Sequence, residues 1–147
     1  MKLNTKTRYG LRAVIYIAMR KNNLPVLQKE IANAEEISNK YLDQIISELK
    51  SAGIIETIGG RKSGYRLAKD PDKITVYDIY KAFNSDLKII DCIENNICLK
   101  VGSCAAQEFW NKLNELIKKE MLKTTIKQLA EKQLSKNQSQ QFLMFNI

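Results

Sequence analysis

The 147 residues suffice for one compact domain with an appended helix and are too few for two large independent domains. Hydrophobic residues make up 44% and charged residues 27%, the balance of a folding globular chain, which excludes the disordered and fibrous classes. The net charge is +8 and unevenly spread: residues 1–66 hold 12 Lys and Arg against 6 Asp and Glu, and residues 67–147 hold 12 against 10, so the excess that favours a polyanionic partner sits at the front.

In chain order, Thr5 to Arg20 places Leu11, Val14, Ile15 and Ala18 on one helical face. Leu24-Pro25-Val26 breaks that helix, and Leu27, Ile31 and Ala34 mark a short second one. Ser38 is placed to cap a third, in which Leu42, Ile45, Ile46 and Leu49 form an apolar stripe that Gly53 ends. Ile54 to Ile58 and Tyr65 to Leu67, joined by Gly-Gly-Arg-Lys-Ser-Gly, read as a two-stranded hairpin. Asp70-Pro71-Asp72 is a turn, and Thr75 with Asp78 forms a capping box that opens a helix through Phe83. Residues 84–104 read as a loop carrying every cysteine. Ala105 to Thr124 is a long amphipathic helix through Phe109, Leu113, Leu116, Ile117 and Met121. Asn137 to Gln141 is polar, and the terminal Phe-Leu-Met-Phe-Asn-Ile is apolar enough to dock. The division is thus a winged-helix domain at 1–83, a cysteine loop at 84–104, helices at 105–132 and a tail at 133–147.

Two short helices and a turn, the second offering small polar side chains, suit entry into a major groove. Asn39, Lys40, Asp43 and Gln44 form the reading set, with Ser38 and Tyr41 at the same helix start, because Asn and Gln pair with adenine, Lys with guanine, and Asp accepts from cytosine. Arg61 and Lys62 sit at the hairpin tip between glycines, where a basic turn can approach phosphates or a narrow minor groove. Arg8 and Arg12 can add phosphate contacts. Each of these faces is also what a solvated surface presents, and it is their combination that reads as a mainly α fold: a winged helix-turn-helix domain with a two-stranded β wing and a long C-terminal helix.

No apolar run reaches the length of a membrane span and no secretory signal opens the sequence, so the expectation is a cytoplasmic protein with no membrane partner. In reducing cytosol, three cysteines within thirteen residues point to metal binding or redox sensing rather than disulfides. No histidine, no nucleophile-histidine pair and no phosphate-cradling Gly-rich motif is present, which argues against an enzyme.

The stretches MKLNTKTRYGLRA, ISNKYLDQIISELKSAGII and GGRKSGYRLAKDP, with the spacing of Cys92, Cys98 and Cys104, resemble the Rrf2 family of winged-helix transcription regulators over about residues 1–130. The resemblance implies a homodimer crossing through the long helix at 105–124, so that paired helices and wings meet a pseudo-palindromic operator in double-stranded DNA. It also implies an iron-sulfur cluster whose state changes DNA affinity. The family's cysteine-metabolism branch lacks the three cysteines, which favours its cluster-binding branches, IscR-like and NsrR-like. The expected function is therefore a cluster-dependent repressor of the IscR-like type, controlling genes such as those for cluster assembly. The alternative is a cluster-free or thiol-redox-sensing regulator of cysteine and sulfur metabolism.

Three thiolates at C-x5-C-x5-C can hold three corners of a cluster, [2Fe-2S] in preference to [4Fe-4S]. The fourth ligand departs from the family pattern. Gln107 stands where IscR-like members place a histidine, and Arg8 stands where NsrR-like members place an aspartate. Gln107 is the first candidate, followed by Glu108, water or a small thiol. Zinc is disfavoured because a fourth Cys or His is lacking, whereas a thiol redox switch remains an alternative. A small electron-transfer protein, the other cluster-holding class, has no need of a basic wing.

Overall fold

The computed structural model describes residues 3–61, 63–91, 98, 100 and 102–146. Its first helix, α1 (Thr5–Ala18), opens where Asn4 Oδ1 accepts from the Thr7 amide at 2.7 Å, and it buries Ala13, Val14 and Ile17. A single 3-10 turn at Lys21–Asn23 reverses the chain, with Asn22 and Asn23 both at positive φ. Helices α2 (Gln28–Glu35) and α3 (Asn39–Ser51) follow, then strands β1 (Ile55–Ile58) and β2 (Gly64–Leu67), which pair antiparallel with Ile55 opposite Leu67 and Ile58 opposite Gly64. Helix α4 (Val76–Phe83) starts at the Thr75–Asp78 capping box, both of whose hydrogen bonds are made. Helices α5 (Ala105–Lys123) and α6 (Ile126–Phe145) complete the chain.

One core joins these elements. Val14 and Ile17 of α1, Ile31 of α2, Leu42, Ile45 and Leu49 of α3, Ile79 of α4 and Ile126 of α6 are all fully buried in it. The turn between α5 and α6 is hooked to the start of α4 by backbone bonds, Ile126 N–H to Ile74 C=O at 2.8 Å and Val76 N–H to Thr124 C=O at 2.9 Å. Two glycines permit close approach. A β-carbon on Gly10 would lie 2.3 Å from Phe83 Cε2, so α1 and α4 pack at a distance only glycine allows. Gly64, at φ +141°, would set a β-carbon 2.5 Å from the Val26 carbonyl oxygen, beside the 2.8 Å backbone bonds that Tyr65 exchanges with Val26.

The helices and hairpin expected through residue 124 are present. The end of the chain differs: residues 133–145, expected as a polar tail, continue α6. Thr125 Oγ1 accepts from the Gln128 amide and Gln128 Oε1 from the Thr125 amide, so a capping box nucleates this helix, and Ile126 and Ala130 dock its first turns into the body. Phe142, Leu143, Met144 and Phe145 stay exposed. No helix among the described residues is long and apolar enough to cross a membrane.

Gly64→Ala should lower the unfolding free energy by about 2 to 4 kcal/mol, since a side chain there meets backbone and a disfavoured φ at once. Gly59→Ala, which meets open space, should stay within about 0.5 kcal/mol. Urea unfolding of the two variants checks this.

Candidate nucleic-acid interface and cysteine loop

The turn between α2 and α3 is three residues long. Glu36 adopts the left-handed conformation (φ 54°) that ends α2, the Ile37 amide closes back on the Ala32 carbonyl at 3.0 Å, and Ser38 Oγ accepts from the Tyr41 amide at 3.2 Å to begin α3. With Leu42, Ile45, Ile46 and Leu49 turned inward, Asn39, Lys40, Asp43 and Gln44 are exposed. Four of the six reading positions at the start of α3 therefore share one solvent face with the exposed Ser38, whereas Tyr41 is half-buried and edge-on to Tyr9 with ring centroids 6.1 Å apart. That packing makes Tyr41 an anchor for α3 against α1.

Asp43 is not isolated on this face. Gln28 Nε2 donates to Asp43 Oδ1 at 2.5 Å, and the Tyr65 hydroxyl donates to Gln28 Oε1 at 3.3 Å. Reading the sequence alone missed Gln28, because its partners are 15 and 37 residues away and no local pattern marks it.

Among the basic residues, Arg8 is exposed on α1 and Arg61 is exposed at the wing tip; Lys62 lies outside the described residues. Arg12 is exposed but engaged at the surface: its Nε donates to Glu35 Oε2 at 2.7 Å, its Nη2 to the Glu35 carbonyl at 3.0 Å, and its guanidinium lies 5.3 Å from the Tyr9 ring centre. Lys6 pairs with Glu48 of α3, and the hydrogen bond its ammonium donates to that carboxylate raises the Lys6 pKa above its ordinary value. α1 is thus fastened to both helices of the helix-turn-helix.

The segment entering the cysteine loop is fastened as well. Asn84 Nδ2 donates to Thr7 Oγ1 and to the Tyr80 carbonyl, each at 2.8 Å, while its Oδ1 accepts from Asn4 at 2.8 Å. Lys81 donates to Asp86 at 2.7 Å and Tyr77 to the same oxygen at 3.2 Å, and these bonds lower the Asp86 pKa. The Ile89 amide donates at 3.2 Å to Asn114 Oδ1, a buried side chain of α5.

Of the three cysteines, Cys92 lies outside the described residues, Cys98 is exposed, and Cys104 is half-buried at the N-cap position of α5. Cys104, Gln107, Glu108 and Asn111 line one open depression of about 460 Å³ at the start of α5. Helical spacing puts the 104, 107 and 108 side chains on one face. Among the described residues no three His, Cys, Asp or Glu side chains converge to hold a metal.

The profile of the Rrf2 family, described as an iron-dependent transcriptional regulator, matches residues 3–132. The HTH-type transcriptional regulator CymR of Bacillus subtilis is 32% identical over 130 residues, spanning 88% of this chain and 90% of the relative. The HTH-type transcriptional regulator NsrR of Bacillus licheniformis is 35% identical over 114 residues, spanning 76% and 80%. The solved structure of B. subtilis CymR, titled the global cysteine regulator, superposes with a TM-score of 0.79 at 31% identity, covering 89% of this chain and 97% of that one. That of T. potens IscR superposes with a TM-score of 0.72 at 28% identity, covering 89% and 88%. These relatives carry the names of regulators, not of enzymes.

DNA affinity should fall steeply with salt, because Arg8 and Arg61 would displace counterions from the phosphate backbone. Arg61→Ala should weaken specific binding by about 1 to 3 kcal/mol if the side chain reads a groove. Titrations against operator and random duplexes at several salt concentrations check both; an equal loss on random DNA would reassign Arg61 to backbone contact.

Proposed function

The chain belongs to the Rrf2 family of DNA-binding transcription regulators, and from that premise we propose that it is a cytoplasmic, homodimeric repressor controlled by an iron-sulfur cluster. In this reading Ser38, Asn39, Lys40, Asp43 and Gln44 meet the major groove of a pseudo-palindromic operator, with Tyr41 anchoring the helix behind them. Arg61, Lys62 and Arg8 reach the wing-side groove and phosphates. Cys92, Cys98 and Cys104 hold the cluster, with [2Fe-2S] favoured and Gln107 as fourth ligand, and genes such as those for cluster assembly are the targets. The observation that carries it is the shared depression in which Cys104 meets Gln107 and Glu108 at the head of α5.

The donor chemistry fits the group. Soft thiolates suit iron-sulfur centres, and the exposed Cys98 and half-buried Cys104 are both open to a ligand. When bound, the cluster supplies a redox- and ligand-sensitive charge beside α5. The protein's part is to position the donors: Cys104 is set by the helix start and Gln107 lies three residues on, one turn along the same face. An amide oxygen is a weak iron ligand beside thiolate or imidazole, which makes this corner open to exchange. For the dimer, α5 offers Phe109, Leu116 and Leu122, all large apolar side chains about half exposed.

The likeness to CymR favours a second reading, a cluster-free regulator of cysteine or sulfur metabolism in which the same thiols respond to oxidation. Anaerobic purification separates the two. A coloured protein whose visible absorbance is lost in Cys92→Ala, Cys98→Ala and Cys104→Ala, each with its helical content retained, supports the cluster. Colourless protein whose DNA affinity changes on thiol oxidation supports the second reading. Gln107→Ala should hasten cluster decay in air and Gln107→His should slow it. Decay of Gln107→Ala at the wild-type rate would pass the fourth position to Glu108 or solvent.

A further inference from the structure

Gln28 sits in the first turn of α2, where three elements of the DNA-binding half meet. The backbone of Tyr65 in β2 is bonded in both directions to Val26, two residues before Gln28, and so the wing strand is fixed against the lead-in to α2. From that position the Gln28 amide uses both its ends. Its Nε2 faces two acceptors, Asp43 Oδ1 at 2.5 Å and the Asn39 carbonyl at 3.4 Å, while its Oε1 accepts from the Tyr65 hydroxyl at 3.3 Å. The reverse amide orientation would put an oxygen against two oxygens, so the partners fix the polarity.

We propose that Gln28 is a specificity-determining positioning residue, which holds the Asp43 carboxylate in one orientation on the reading face and ties that orientation to the wing. This rests on the reading of α3 as the helix that enters the major groove. An ionised carboxylate only accepts hydrogen bonds, so in that groove it favours the amino groups of cytosine and adenine and disfavours guanine O6 and N7. Discrimination of this kind depends on where the lone pairs point. With Oδ1 engaged by Gln28, Oδ2 is the acceptor left to meet a base. Without Gln28, the exposed side chain can rotate among its rotamers and meet several base edges, which flattens the preference.

The test selects full-length, anaerobically purified protein against a randomised duplex library, using wild type, Gln28→Ala, Gln28→Glu, Asp43→Ala and the Gln28→Ala/Asp43→Ala double variant. Wild type is expected to enrich a motif containing a base-pair position whose preference disappears in Asp43→Ala. At that position Gln28→Ala should reduce the affinity ratio between the selected duplex and its single-base-pair variant by roughly five- to tenfold. Its binding to random duplex should stay near wild type. Gln28→Glu, which keeps the shape and sets carboxylate against carboxylate, should flatten the position at least as much. The double variant should match Asp43→Ala alone, as coupling through one contact requires. Unchanged preference in both Gln28 variants overturns the proposal, as does an equal loss on random duplex, which would mark Gln28 as merely structural. If Asp43→Ala leaves the motif intact, Asp43 reads no base and the proposal falls while the reading of α3 stands. If wild type enriches no motif, that reading fails and takes the proposal with it.

Discussion

Among the described residues, two of the six α-helices, α2 and α4, are only eight residues long. Helices of that length are not stable alone in water, and they persist only when an apolar face is buried against something else. The shared core is therefore the constraint on which the rest depends. Ile31 and Ile79 commit α2 and α4 to the same cluster that holds α1, α3 and the first turns of α6. Since α3 presents its polar side only because its other side is consumed by Leu42, Ile45, Ile46 and Leu49, the exposed polar face proposed to meet DNA is a direct product of that burial.

Elements whose apolar period follows from burial on one side were legible in the sequence, which is why α1, α3 and the hairpin were expected within a few residues of where they lie; α5 was legible from the same period although its apolar stripe is only partly covered. The second half of α6 was not. Past Ala130 its side chains are exposed or half-buried, so no stripe marks it, and the polar Asn137 to Gln141 was read as part of a tail; the overlooked signal was Thr125 followed three residues later by Gln128. Of the site residues, exposure at Asn39, Lys40 and Gln44 follows from helical period alone. The pairing of Arg12 with Glu35 and the grip of Gln28 on Asp43 do not, because both are contacts between elements apart in sequence.

The segment that joins the N-terminal half to the cysteines is held at both ends by polar side chains, with Leu87 buried between them. Asn84 ties the end of α4 to the capping residues of α1, and Asn114 receives the backbone of Ile89 on α5. Of these only the Asn114 side chain is buried, and there an unmet partner would be costly. They fix where the chain leaves α4 and where it meets α5.

Charge pairing leaves the size of the first half's basic excess unchanged but decides which residues carry it. Its six acidic residues include Glu30, Glu35, Glu48 and Glu56, which pair with Arg20, Arg12, Lys6 and Arg66. A fifth, Asp43, is engaged by the neutral amide of Gln28. Among the described residues, Arg8, Lys40 and Arg61 enter no ion pair, and each is exposed. Paired surface charges contribute little to an external field, since each cation is matched by an anion a few ångströms away. The field a polyanion meets is thus set mainly by the unmatched residues; the exposed Lys21, Lys29 and Lys50 are also among these, while Arg8, Lys40 and Arg61 are the ones on α1, the start of α3 and the wing tip, where the helix-turn-helix geometry would bring a duplex.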